Sequence, residues 1–191
     1  MSKQISEQKK PEKKTDLRIL YTKNVIRKAF LKLKATKAFP DISITALCEE
    51  AGISRSTFYA HYENTRQLLD EILDEILDQM AIPAPGMPGA DQSCQTTPMC
   101  DMIRARKEYQ CLFFDESLSP TLVDRIVTRS IPYDVPILKK YGLTEAQTVA
   151  LLRFQISGCL ATTIENRALS DADWAQIKHA IHANCQFLGK I

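Results

Sequence analysis

The sequence predicts an all-α protein, with an N-terminal three-helix domain built on a helix-turn-helix and a helical C-terminal domain after it. Three observations predict this. Apolar residues recur at three- and four-residue steps through most of the 191 residues, the period of helices with one buried face. Hydroxyl and amide residues stand ahead of these runs as N-caps, several with Gln or Asp three residues on. The charge is also divided: residues 1–66 carry 14 Lys/Arg against 7 Asp/Glu, and the remainder 11 against 16. A basic N-terminal third is the electrostatic footprint of a nucleic-acid-binding part. An acidic remainder repels the duplex and orients the molecule on it.

Residues 1–15 hold few apolar groups and Pro11, and read as a disordered basic arm. Asp16 caps a helix expected to reach about Lys37, with Leu20, Ile26, Ala29, Phe30 and Leu33 at helical spacing. Lys23, Arg27, Lys28, Lys32, Lys34 and Lys37 decorate its other sides, and Phe39-Pro40 ends it. Thr45 is the expected N-cap of a second helix carrying Leu47, Cys48 and Ala51 on one face. Gly52 stops that helix where the chain needs positive φ. Ser54 caps a third, Arg55 to Tyr62, and two helices around a short glycine-containing turn make a helix-turn-helix. Asn64, with Gln67 in capping-box spacing, opens a helix from Thr65 to about Met80 with a leucine-isoleucine stripe. The acidic residues between 70 and 78 read as its solvated face.

Residues 81–97 contain three prolines and two glycines, which no helix survives, so they mark a linker between domains at 16–80 and 98–191. Thr97-Pro98 opens a helix to about Phe114, and Ser119-Pro120 another through about Ser130. Pro132, Pro136 and Gly142 should then break a short segment. Thr144 with Gln147 begins a long helix to about Arg167, and Ser170 with Asp173 a last one to about Leu188.

The third helix carries the chemistry. Phe58 and Tyr62 share a face and anchor it inward, leaving Arg55, Ser56, Thr57, Tyr59 and His61 on the others. Arginine pairs with a guanine edge, while hydroxyls and tyrosine suit phosphate oxygens. Arg55, Ser56, Thr57 and Tyr59 are therefore the candidate groove contacts. Thr45, Tyr59, His61 and Thr65, with nearby lysines, are the candidate phosphate contacts. The bland alternative is a small amphipathic helix whose polar face meets only water.

The run ITALCEEAGISRSTFYAHYENTRQLL resembles the DNA-binding region of the tetracycline-repressor (TetR-like) family of bacterial regulators. Ile44, Thr45, Ala51, Gly52, Ser54, Thr57, Phe58, Tyr59, His61, Tyr62, Asn64 and Leu68 match its pattern, over roughly residues 17–72. Thr65 departs from it, standing where many members carry a phosphate-binding lysine. The resemblance implies a homodimeric transcription regulator, most often a repressor, on a palindromic operator of double-stranded DNA. It implies a C-terminal domain for ligand binding and dimerisation, where a small molecule shifts the spacing of two reading heads. It also implies a four-helix bundle made by the last two helices of each subunit. Val149, Leu152, Ile156, Cys159, Leu160 and Ile164, with Trp174, Ile177, Ile181 and Leu188, supply apolar surface there; Ala150, Ser157, Gly158 and Ala161 allow close approach. An internal core is the alternative use of that surface. Tyr109, Phe113 and Phe154 are the candidate effector-binding residues, and the segment from Tyr109 to Phe114 could equally face a protein partner of an activator.

Other chemistry is not expected. Cys94, Cys100 and Cys111 lack CxxC spacing and a nearby histidine, so neither zinc nor any other cofactor is expected, and a redox role is weakly supported. His179 and His182 form a pair three residues apart without further donors. There is no P-loop, GxSxG or HExxH, so no enzyme is expected. With no apolar run of membrane-spanning length, no export signal and six scattered cysteines, the expected compartment is the cytoplasm.

Overall fold

The computed structural model describes residues 17–79 and 97–188, with side chains over 17–79 and 100–181. The expected arm, the Pro/Gly-rich linker, Met80, Cys94 and the His182 and Cys185 side chains lie outside these. Nine α-helices and no strand occur among the described residues: α1 Leu17–Lys34, α2 Ile44–Ala51, α3 Arg55–Tyr59, α4 Thr65–Gln79, α5 Thr97–Ala105, α6 Gln110–Phe113, α7 Ser119–Lys139, α8 Glu145–Glu165 and α9 Asp171–Leu188. Single 3-10 turns sit at Phe39–Asp41, Lys107–Tyr109 and Glu116–Leu118. No helix of the described residues is long and apolar enough to cross a membrane.

α4 holds the parts together. Its stripe of Leu68, Leu69, Ile72, Leu73, Ile76 and Leu77 is fully buried. Those side chains belong to one continuous core that includes Ile26, Phe30, Leu47 and Phe58 from the first three helices. The same core includes Leu112, Phe113, Leu122, Ile126, Leu152 and Ile156 from the later ones. The acidic residues of α4 are not the solvated face expected from sequence. Glu71 accepts from Lys23 at 2.7 Å and from the Tyr62 hydroxyl at 2.9 Å, and Glu75 pairs with Arg27. On the other side Arg125 pairs with Asp70 at 2.7 Å and with Asp74, while Arg129 pairs with Asp74 at 3.2 Å and Asp78 at 3.0 Å. Burial pulls the Arg129 guanidinium down, but Asp78 and Asp74 together hold it above its ordinary value.

The end of α1 docks on the start of the second part. Lys34, expected among the solvent-facing lysines, is buried. Its ammonium lies 2.7 Å from Asp115 Oδ2, with side-chain exposures of 4% and 11%. The contact is ionic and lacks the alignment of a hydrogen bond, since that oxygen has no hydrogen-bond partner. Ser117 donates to Asp115 Oδ1 from its backbone at 2.9 Å and its hydroxyl at 2.6 Å. Burial alone pushes the Asp115 carboxyl up, and Lys34 and Ser117 outweigh it, leaving it below the usual range.

Several boundaries differ from the sequence reading. α1 ends at Lys34 rather than Lys37, and Leu20 is half exposed rather than core. The helix expected over 98–114 breaks after Ala105, where Arg106 leaves helical geometry. The Gln110 side chain then donates to the freed carbonyls of Arg104 at 3.0 Å and Ile103 at 3.4 Å. α7 does the reverse: it runs unbroken to Lys139 through both Pro132 and Pro136. The prolines are four residues apart and exposed, so both lie on the outer row of Asp124 and Thr128, which is also exposed. The carbonyls they deprive of donors face water, while Ser130 and Asp134 on the opposite side are buried and hold the helix to the body. On α8 and α9, Leu152, Ile156, Cys159, Leu160 and Trp174 are buried within the chain itself and so form no outer surface. The capping box of Thr144 with Gln147 forms as read, and at the start of α9 Ser170 Oγ accepts from Asp173 N at 3.2 Å while its hydroxyl donates to Asp173 Oδ2 at 2.6 Å.

Two outcomes follow from this packing. Pro132→Ala restores the donor to Thr128 O on an exposed row, so urea unfolding should show a gain of about 1 kcal/mol or more; a loss contradicts the account of α7. For Lys34 and Asp115 the sign follows from a lowered carboxyl pKa. The pair stabilises above the ordinary value of 3.8 and is lost as pH falls through the lower folded value. Asp115→Asn should cost about 3 kcal/mol at pH 7, because it strands a buried ammonium. It should also lose less on acidification to pH 3 than the wild type does.

Candidate nucleic-acid interface

The reading head is set by caps. Ser43, not Thr45, is the N-cap of α2: its hydroxyl accepts from Ala46 N at 3.2 Å. The reason lies one residue earlier. Ile42 and Leu47, at the two staple positions around that cap, are both buried and fix where the chain enters the helix. Thr45 therefore sits in the first turn, exposed, with its hydroxyl left for another partner. At the other end Gly52 takes φ 64°, ψ 34°, and Ile53 N donates to Cys48 O at 3.0 Å while Gly52 N donates to Glu49 O at 3.2 Å. This pair of bonds is a Schellman stop, and it turns the chain directly into α3.

α3 is shorter than expected, Arg55–Tyr59 rather than Arg55–Tyr62. Ser54 caps it, accepting from Thr57 N at 3.1 Å, and its hydroxyl also lies 2.8 Å from Ser56 Oγ and 2.9 Å from Thr57 Oγ1. His61 N and Tyr62 N both donate to Phe58 O at 2.9 Å, tightening the exit so that Tyr62 turns inward. Phe58 and Tyr62 are buried with ring centroids 5.8 Å apart. Burial, then the bond to Glu71, pushes the Tyr62 hydroxyl far above its ordinary pKa, so it stays protonated and donates. Asn64 caps α4 through Gln67 N at 2.9 Å, and Gln67 Oε1 reaches back to Glu63 N at 2.7 Å.

Of the residues named from sequence, Thr45, Arg55, Ser56 and Tyr59 are exposed, and Thr57, His61 and Thr65 are half-buried. The fold brings Thr45 and Arg55 together, ten positions apart: the guanidinium donates to the Thr45 hydroxyl. Tyr59 stands 57% exposed with its ring edge-on to Phe58 at 5.7 Å. Thr65 begins α4, where Asn64 takes Gln67 N and the N–H groups of Thr65 and Arg66 are left without a helical partner, an arrangement suited to a phosphate. Two nearby lysines are already engaged, Lys23 with Glu71 and Lys32 with Glu50 at 2.5 Å. The brace of Lys23 over the Tyr62 ring, 5.2 Å to the centroid, escaped sequence reasoning because its partners lie in different helices.

The sequence signature of the bacterial regulatory proteins of the tetR family matches residues 26–72, which span α1 to the middle of α4. Residues 26–72 therefore form a tetR-family segment within the chain. An uncharacterized HTH-type transcriptional regulator, YxbF of Bacillus subtilis (strain 168), is 35% identical to this chain over 68 residues. The match covers 35% of this chain and only 18% of that protein's length. The solved structure of the dihydroxyacetone kinase operon activator DhaS matches with a TM-score of 0.54 at 19% identity. It covers 88% of this chain and 98% of that one, so the likeness of fold extends beyond the reading head.

The candidate effector residues are not brought together. Tyr109 is buried, its hydroxyl accepting from Arg27 at 3.2 Å; Phe113 is in the core; Phe154 is 71% exposed. Two open clefts lie elsewhere. One of about 450 Å³ is lined by Lys34–Ala38 with Cys111, Phe114 and Asp115. The other, of about 510 Å³, lies between α7 and α8. Burial pushes the Cys48 and Cys111 thiols up, which disfavours the reactive thiolate. Ser54→Ala removes the cap and hydroxyl cluster that hold α3, and should lower unfolding stability by about 1 kcal/mol in urea titration. An unchanged midpoint means that α3 is held by Phe58 alone.

Proposed function

We propose that this protein is a transcription regulator that reads a palindromic double-stranded DNA operator as a homodimer. The observation that carries this is the Thr45–Arg55 contact beside the exposed Tyr59, which gathers the polar groups of both helix-turn-helix helices on one outer surface. Arg55, Ser56, Thr57 and Tyr59 enter the major groove. Thr45, Tyr59, His61 and Thr65 hold backbone phosphates, so affinity falls with salt while Arg55 sets sequence preference. Two copies about one helical turn apart read the two half-sites. Repression relieved by a small-molecule effector is the first form of this reading, and it follows from the family.

A second form has one observation in its favour. Tyr109, Leu112, Phe113 and Leu118 fill the described core, which suits a C-terminal part that meets a protein partner, as an activator, better than one holding a preformed effector pocket. The similarly folded DhaS is named as an operon activator. Sequence selection on purified protein at two salt concentrations tests the DNA reading. A palindrome should emerge whose preference at one base pair per half-site relaxes in Arg55→Ala by about 1–3 kcal/mol. Binding without sequence preference sinks the operator reading. Transcription from the selected site with and without the protein then gives the sign of regulation.

A further inference from the structure

Threonine hydroxyls inside the longer helices of this chain turn back on their own backbone. Thr22, Thr128, Thr148 and Thr163 each donate to the carbonyl four residues earlier, at 2.8, 2.8, 3.0 and 2.7 Å. Thr45 has no helical carbonyl behind it. The Ser43 cap makes it the second residue of α2, and the residue four before it, Asp41, closes the 3-10 turn ahead of the helix. Its hydroxyl sits on a β-branched carbon with few rotamers and is left for a partner outside its own helix. That partner is the Arg55 guanidinium, which donates to it from the first turn of α3. Burial pushes the Cys48 thiol up, and the Arg55 charge, next in size, pulls it the other way. The guanidinium therefore leans back along α2, on the side that carries both Thr45 and Cys48.

The kind of partner matters. Elsewhere in the first four helices, Arg27 is held by Glu75 and Arg66 by Asp70 at 3.1 Å. Arg55 is held by a neutral hydroxyl instead. A carboxylate there would neutralise the guanidinium and repel a phosphate, whereas a hydroxyl fixes its direction and leaves its charge whole. The fork keeps its other N–H donors for a base edge, and the hydroxyl keeps its own proton. A long side chain also loses rotamer freedom when it is ordered, and here part of that loss precedes the arrival of DNA.

We propose that Thr45 is a positioning residue for base reading: its hydroxyl aims the Arg55 guanidinium into the groove, so the sequence preference set by Arg55 depends on a residue of the preceding helix. The inference rests on the operator reading and adds to the phosphate contact assigned there. One hydroxyl accepts from Arg55 with a lone pair and donates its proton to a phosphate, which ties the register on the DNA backbone to the base that is read.

Binding of the purified full chain to duplexes of the selected palindrome, with each base pair replaced in turn in both half-sites, tests this. The proteins compared are the wild type, Thr45→Val, Thr45→Ser, Arg55→Ala and Thr45→Val/Arg55→Ala. Thr45 is exposed and valine keeps its shape, so these variants should keep the circular dichroism of a folded helical protein. Arg55→Ala marks the base pair that the arginine reads. At that base pair Thr45→Val should lose about three- to ten-fold of the preference, and Thr45→Ser should retain it. The double variant should be no less selective than Arg55→Ala, because the threonine acts through the arginine. Thr45→Val that weakens every duplex by one common factor, with the preference intact, overturns the positioning role and leaves Thr45 a phosphate contact. A loss of preference at a different base pair, or one that adds to the loss in Arg55→Ala, overturns it as well, and in these cases the operator reading stands. A wild type without any preferred sequence overturns both.

Discussion

Among the described residues α4 faces both parts of the chain at once, beside the direct link of Lys34 to Asp115. A helix of fifteen residues carries an apolar stripe toward a shared core, one acidic row toward α1 and another toward α7. The stripe supplies most of the free energy: six side chains fully buried, at about 1.5–3 kcal/mol each by area. The ion pairs are half exposed and worth a fraction of that apiece. What they add is register. Arg125 and Arg129 are four residues apart and face three carboxylates four residues apart. A slip of one turn toward the start of α4 brings Arg125 beside Arg66, where like charges repel. The ladder fits at one setting.

The reading head inherits that setting. α3 has only five residues and cannot hold its own direction; helices so short owe their shape to caps and packing. Ser54 and Gly52 fix its start, and Tyr62 ties its end to Glu71 on α4. Arg27 then reaches both Glu75 on α4 and the Tyr109 hydroxyl of the second part. A rotation or shift of α4 therefore moves the surface formed by Thr45, Arg55 and Tyr59 relative to α7. A bound effector or a docked protein that prefers one setting of α4 has a physical route to the DNA surface.

The local signals were legible in sequence. Gly52 as a stop, Ser54, Asn64 and Thr144 as caps, and the α4 stripe all follow from chemistry contained within a few residues. Ser43 displaced Thr45 as a cap because a staple between Ile42 and Leu47 decided the start, and two hydroxyl residues two positions apart cannot be ranked by type alone. The partners were not legible. The acidic residues of α4 looked solvated because their arginines lie some 50 positions away, and Lys34 looked like another surface lysine because Asp115 is 81 positions distant. Pro132 and Pro136 read as breakers, since nothing local shows that they share an outer row of a helix held from its other side. Leu152, Ile156 and Leu160 read as an interface for a similar reason: periodicity shows that a face is apolar and is silent on which chain covers it.

The central claim is that α4 joins the reading head and the later helices into one cooperative unit. Native-state hydrogen exchange measures this directly, by comparing opening free energies of amides in Leu68–Leu77 with those in Leu122–Val127 and Leu47–Phe58. The account predicts that α4 and α7 open together, and that Arg129→Ala lowers both and carries the α2–α3 amides down with them. Exchange in which α4 follows α1–α3 alone, unmoved by the loss of Arg129, contradicts it.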